Sequence, residues 1–399
     1  MQLNLIETVA FAGIVLYLGQ GVRRLIPPLA RYNIPAPVVG GLLVAIALMV
    51  ARNAGHTPLK FDTTLQSPLM IAFFASIGFA ASLSLLRLGG PQVIIFFVAS
   101  TVLAVVQNVV GVLLSYLLGL PPLFGVLAGS VTMAGGPATG LAFAPLFEQA
   151  GVVGAPEIAI AAAMLGIVVG GLVGGPLGTF LIRRHALKSQ VATAPAVVPG
   201  DAPTRTPSGD AESGSSLLKH VVILLATLWI GSWVSQGFKA LGMTLPGYIG
   251  AMLTAAFLRN VDDRTRWLRL SGRRLEELGA VALSLFITMA LMTLELWKLA
   301  AVALPLLLMV AVQVGLVVAV SLWPMYRLMG RDYDSAVMGG GLCGFMLGTT
   351  ANAVANMEAL CQKYGPAPRA FLVVPMVGAF FMDFSNAMII TMFVNLFRG

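Results

Sequence analysis

Asp383 lies within the last long apolar run of the chain, between Met382 and Phe384. A carboxylate at the centre of a membrane helix costs about 2.5–3.5 kcal/mol on insertion scales, so it usually faces a cavity or partner. Asn386 follows three positions on and shares its helical face. Their oxygens suit a hard cation, and Asp383 reads as a cation ligand or a proton-linked group. A structural cap on a neighbouring segment is the alternative role.

Two further stretches carry small polar residues among glycines. The first is Ser130-Val131-Thr132-Met133-Ala134-Gly135-Gly136-Pro137-Ala138-Thr139-Gly140. The second is Gly348-Thr349-Thr350-Ala351-Asn352-Ala353. Both are apolar enough for a membrane, yet adjacent glycines and Pro137 are poor helix formers. Backbone that leaves the helix inside hydrocarbon is tolerated where protein or a watery cavity satisfies it. Two such breaks at matching places in two half-chains point to a carrier's binding site. Packing of helices through small residues is the competing explanation.

The breaks supply specific chemistry. No Lys or Arg falls in the middle of an expected span, so a bound anion has to be held by other means. Half-helices starting after each break would aim free N–H groups and positive dipole ends at it. Gly135, Gly136, Thr139, Gly348, Thr349, Thr350 and Asn352 are the candidate substrate-binding residues. The threonines and Asn352 serve equally well as helix caps. A hard cation takes oxygen ligands and backbone carbonyls, so Ser130 and Thr132 join Asp383 and Asn386 as candidates for it, a set that the family resemblance given below assigns to sodium.

Other polar residues have plainer readings. Gln107, Asn108 and Gln313 suit bonds between helices at least as well as a site. Gly166, Gly170 and Gly174 form a packing stripe. His56, His185 and His220 fall in loops or at span ends, which gives no transition-metal site. Glu7 reads as solvated, and Glu148 and Glu358 as structurally paired near cavity mouths. Cys343 and Cys361 read as free thiols. Nothing in the chain suggests an organic cofactor.

Positioning these residues requires a membrane frame. The 399 residues are 58% hydrophobic and only 10% charged, with a mean hydropathy of +0.91. Soluble domains carry about 25% charged residues. Apolar runs of spanning length recur throughout, so the fold class is an all-α polytopic membrane protein embedded in a lipid bilayer. The net charge of +8 comes from short basic loops, which excludes nucleic acid as the reason for it. No Lys or Arg precedes the first run, so it does not read as a cleaved signal peptide.

The expected spans of the first half are 4–22, 38–50, 68–86, 91–120 and 156–182, with the first break between the last two. Residues 185–216 are rich in Ala-Pro and Gly-Asp turns and read as a flexible linker. The second half repeats the order: 217–238, 246–258, 278–297, 299–323, the second break, and 370–396. A shift of 212 residues places Phe74 on Phe286, Ser76 on Thr288, Gly136 on Gly348, Pro156 on Pro368 and Gly166 on Gly378. A slightly smaller shift pairs Gln107 with Gln313. The chain divides into repeats 1–184 and 217–399, each of five transmembrane helices and one re-entrant hairpin. Five crossings make the repeats opposite in topology. With both termini outside, Arg52, Lys60, Lys239, Lys298 and Arg398 are external. The far larger remainder of Lys and Arg is cytoplasmic, as is the linker. The two hairpin tips would then meet near the midplane.

Several runs carry a family resemblance. They are Pro68-Leu69-Met70 with Ala72-Phe73-Phe74-Ala75, Leu283-Ser284-Leu285-Phe286, Ala355-Asn356-Met357, and Phe371-Leu372-Val373-Val374-Pro375-Met376-Val377-Gly378-Ala379-Phe380-Phe381. They resemble the bacterial sodium/glutamate symporter family over nearly the whole chain except the linker. The resemblance implies a homodimeric plasma (inner) membrane carrier that imports L-glutamate with Na+ as coupling ion, by an elevator-like or related alternating-access cycle. At the breaks the chain departs from the family's usual pattern. Pro137 and Ala138 stand for His and Gly, Phe143 for Trp, Leu342 for His, Met346 for Gly, Ala351 for Pro and Asn352 for Thr. An ion-coupled carrier of another organic anion therefore stays an alternative. A membrane-embedded enzyme is a more distant one, since no zinc motif, serine–base pair or nucleotide loop is present.

Overall fold

The computed structural model describes residues 2–55, 59–189, 210–240 and 246–397. Most of the expected linker lies outside them. Among the described residues the chain is helical, and one isolated bridge pairs Gln2 with Lys60.

The first half opens with α1 (Leu5–Leu25). Asn4 and Glu7 cap it reciprocally, the Asn4 side chain accepting from the Glu7 N–H at 2.9 Å and Glu7 from the Asn4 N–H at 2.8 Å. A short α2 (Pro27–Arg31) leads to α3 (Ala36–Asn53), which starts where Pro37 fits a first helical turn. Helix α4 (Gln66–Ala80) stops short of the expected Leu86. Helix α5 (Leu83–Leu117) is two pieces, because Gly90 takes φ 65° and ψ −166° ahead of Pro91. Only glycine adopts that conformation freely.

The first glycine-rich stretch is broken, as its composition requires. Helix α6 (Pro122–Val126) widens into a π-type turn at Leu127–Val131, where Gly129 leaves helical geometry. The chain restarts as α7 (Gly136–Gln149). Helix α8 (Ala155–Arg184) closes the half after the left-handed Gly154.

Helix α9 (Asp210–Ala240) begins the second half, so the end of the expected linker is helical. Helices α10 (Tyr248–Thr265) and α11 (Gly272–Met292) follow, then α12 (Ala303–Val320) and α13 (Tyr326–Leu328). The turn between α12 and α13 contains Pro324. The second glycine-rich stretch is α14 (Tyr333–Met346), a break at residues 347–349, and α15 (Thr350–Tyr364). The last run is α16 (Pro368–Met376) and α17 (Met382–Phe397), separated by a π-type turn at Val377–Phe381 just after Pro375. Proline has no N–H to give back to the preceding turn, which accounts for both interruptions.

Seven described helical stretches are long and apolar enough to cross a bilayer: Leu5–Leu25, Ala36–Asn53, Gly90–Leu117, Ala155–Arg184, Ser216–Ala240, Gly272–Met292 and Ala303–Leu328. The other three expected spans fall short individually. Helix α4 has 15 residues, α10 carries four charges in its second half, and the last run is divided.

The helices sort into two groups that pack mainly within themselves. One contains α1, α3, α4, α9, α10 and α11. The other contains α5 to α8, α12 and α14 to α17. Close backbone approach holds the first group. A methyl at Gly19 would strike the Ala36 carbonyl, and one at Gly40 the Val15 carbonyl. Between α9 and α10, a methyl at Gly231 would strike the Ala251 backbone and one at Gly250 the Gly231 carbonyl. In the second group α8 lies along α14 and α15. Its stripe of Gly166, Gly170 and Gly174 abuts Leu347, Cys343, Asn356 and Gly340, which is the packing role its spacing indicates. Cys343 and Cys361 are both free thiols.

Candidate functional site

The two breaks meet. A Cβ placed on Gly136 would lie 3.4 Å from the Gly348 carbonyl oxygen and 3.6 Å from Thr349 Cγ2. Beside this contact is a cavity of roughly 490 Å³ between the two helix groups. On one side it is lined by Ala134, Gly135, Pro137, Ala138 and Thr139, and by Gly348, Thr349, Thr350 and Ala351. Phe345 and Asp383 complete that side. Facing them are Leu16, Gln20 and Arg23 of α1, Pro35, Ala36 and Pro37 at the start of α3, Phe73, Phe74 and Ile77 of α4, and Leu283, Ser284 and Ile287 of α11.

The first turns of α7 and α15 therefore open on one space. N–H groups without intrahelical partners and the positive ends of two helix dipoles sit at its wall, an arrangement suited to a carboxylate. Thr349 also caps α15, its hydroxyl oxygen accepting from the Asn352 N–H at 3.4 Å. Tyr248 backs the aromatic wall. Phe74 stacks on the buried Tyr248 with ring centroids 3.9 Å apart, and Phe143 meets Tyr248 edge-on at 6.0 Å.

Six candidate residues line this cavity: Gly135, Thr139, Gly348, Thr349, Thr350 and Asp383. Gly136 sits at the contact between the breaks. Asn352 is turned away, its Nδ2 donating to the Ile167 carbonyl of α8 at 2.8 Å. It fastens α15 to α8 and does not face the cavity.

Asn386 and Ser130 form a second, buried locus. Asn386 Nδ2 donates to the Ser130 carbonyl at 3.0 Å, and the Ser130 N–H donates to Asn108 Oδ1 at 2.9 Å. Asn386 Oδ1 and Ser130 Oγ are buried without partners. Unpaired buried oxygens are rare in native proteins, and two from neighbouring residues offer hard ligands. Thr132 is occupied locally, its hydroxyl donating to the Leu127 carbonyl at 2.8 Å. Gln107 Nε2 donates to the Met346 carbonyl at 3.2 Å, and Gln313 Nε2 to the Gln107 carbonyl at 2.8 Å. These amides join helices.

The facing wall is barely legible in the sequence. Arg23 reads as a flanking cation at the end of the first apolar run, and the structure turns it into the cavity. Its spacing from Gln20 is the one local signal that the two share a face. Asn108 makes an interhelical bond of the kind its place in the sequence suits, accepting from the backbone of the first break.

A cavity between two groups of membrane helices, bordered by broken helices and one carboxylate, is the equipment of a membrane carrier. Comparison with known proteins gives the family. A model of the sodium/glutamate symporter family matches residues 1–366. A sodium/glutamate symporter of Escherichia coli (strain K12) is 40% identical over 400 residues, covering 99% of this chain and 98% of that protein. The one of Shigella flexneri matches equally well. That of Haemophilus influenzae is 39% identical over 394 residues, covering 96% and 95%. The chain belongs to the sodium/glutamate symporter family. It is a transporter and not an enzyme.

Proposed function

We propose that this protein imports L-glutamate together with Na+ across the plasma membrane, by alternating exposure of the cavity between the two helix groups. The carrying observation is the convergence of both helix breaks and Asp383 on that one cavity. The first turns of α7 and α15 hold a carboxylate of the anion through N–H groups. Thr139, Thr349 and Thr350 add hydroxyl groups. Asp383 is the cation-linked group at the cavity, and Ser130 with Asn386 supplies sodium ligands behind the first break. Family membership and the names of the relatives support glutamate and sodium as the transported pair.

In this reading the halves are inverted repeats, and residues 122–149 and 333–364 are re-entrant hairpins whose tips meet near the midplane. Matched glycines support the repeat. Gly19 and Gly231 stand 212 residues apart, and each contacts the next long helix of its own half, at Gly40 and Gly250. The termini lie outside, the linker inside, and the protein works as a homodimer.

Proteoliposome uptake tests the proposal. Labelled glutamate accumulates under an inward sodium gradient and not under an inward potassium gradient. Accumulation of other anions while glutamate is ignored would replace the substrate. Chemical turnover without accumulation would replace the class.

A further inference from the structure

Arg23 is the one cationic residue among those lining the cavity, and Asp383, on the opposite helix group, is the one acidic residue. Arg23 is half-buried in the last turn of α1, with Gln20 one turn before it on the same wall. Among the described residues it forms no ion pair, and its Nε is buried without a hydrogen-bond partner. A desolvated guanidinium donor left unpaired is unfavourable, and a resident anion removes the penalty. The neighbouring Arg24 is exposed and is not among the lining residues.

The chemistry of an amino dicarboxylate supplies that anion. It brings two carboxylates, while the first turns of α7 and α15 converge on one place. The planar guanidinium fork matches the second carboxylate in a way that a helix dipole does not. We propose that Arg23, assisted by Gln20, receives one carboxylate of the transported anion from α1, opposite the helix breaks that hold the other, and so selects dicarboxylates over singly charged isosteres. The inference rests on the symport reading above and adds the residue that discriminates charge.

It also divides the ligand between the groups. One carboxylate belongs to α7 and α15, the other to α1. Arg23 serves the state in which this cavity is formed, and the anion leaves it when the groups move apart.

The test is uptake of labelled glutamate by proteoliposomes holding wild type, Arg23→Gln, Arg23→Lys and Arg24→Gln, with glutamate and glutamine as competitors. Glutamine has the same shape and lacks one negative charge. Arg23→Gln raises the glutamate KM about tenfold or more, the scale of one charge-assisted hydrogen bond. Its preference for glutamate over glutamine narrows by a similar factor, while sodium activation at saturating glutamate stays as in wild type. Arg23→Lys gives an intermediate KM, and Arg24→Gln matches wild type. An Arg23→Gln protein with unchanged KM and unchanged preference overturns the proposal. Should that variant not fold, an Arg23→Lys protein with wild-type KM and preference overturns it equally. Failure of wild type itself to accumulate glutamate under a sodium gradient would instead defeat the symport reading.

Discussion

Asp383 and Asn386 share a face of α17 but meet different surroundings. Asp383 borders the cavity, while Asn386 reaches the backbone of Ser130. In the proposed cycle a carboxylate at that place attracts a cation arriving through the cavity, and the Ser130–Asn386 oxygens lie behind the first break. Asp383→Asn keeps the shape and removes the charge. We expect the sodium concentration for half-maximal uptake to rise by about tenfold, in line with about 1.4 kcal/mol. An unchanged sodium activation curve removes Asp383 from the cation path. A second residue-scale prediction concerns Asp262, at the charged end of α10. Burial alone would raise its carboxyl. The N–H groups of Leu270 (2.7 Å), Leu268 (2.7 Å) and Arg269 (2.9 Å), with the charge of Arg259, outweigh burial and hold it below the usual carboxylate range. Its stabilisation is thus complete above the unfolded value of about 3.9 and fades as pH falls through the lower folded value. Asp262→Ala destabilises the protein by about 1–3 kcal/mol. Thermal melts in detergent at pH 7 detect the loss, and the gap between variant and wild type closes at strongly acidic pH.

At the scale of elements, the contact of α8 with α14 and α15 decides where the second break sits. Gly174 permits that contact, since a methyl there would meet the Asn356 side chain and lie 2.7 Å from the Gly340 carbonyl. Asn356 in turn donates from Nδ2 to the Gly170 carbonyl at 3.0 Å. Gly175, the next residue, has open space around a methyl. Gly174→Ala is therefore expected to cost about 1–3 kcal/mol through forced backbone movement. Gly175→Ala lies in the same helix and is neutral or mildly stabilising. Comparing their melting temperatures isolates the packing effect from helix propensity. Equal behaviour of the two would mean that α8 is not seated against the second break as described.

For the whole molecule, the proposed alternating exposure of the cavity depends on the division into two groups. Direct contact between the groups is sparse, with α7 against α11 and the turn before α17 against α4. The Phe143–Tyr248 ring pair joins α7 to α10 across the boundary. Relative movement of the groups requires that pair to separate. In a background with Cys343 and Cys361 replaced by alanine, mercuric ion bridging Phe143→Cys and Tyr248→Cys is expected to arrest uptake. Thiol reductant restores it, and the single-cysteine variants are unaffected by mercury. Full uptake by the bridged protein would show that this boundary stays closed during the cycle.

The sequence alone determined the membrane class, the order of the long helices and the location of the two breaks. Hydropathy over 20 residues is a local property, and so is the poor helix propensity of Gly135-Gly136-Pro137. Ala80, Gly90 and the turns beside Pro324 and Pro375 mark where boundaries drifted. Hydropathy runs straight through such points, while the backbone does not. Tertiary structure decided which side chains share the cavity. Asn352 sits in the second break, yet it bonds to α8. Arg23 sits at the end of a distant helix, yet it joins the cavity wall. Each helix turn offers several directions, and only packing against helices more than a hundred residues away selects one of them.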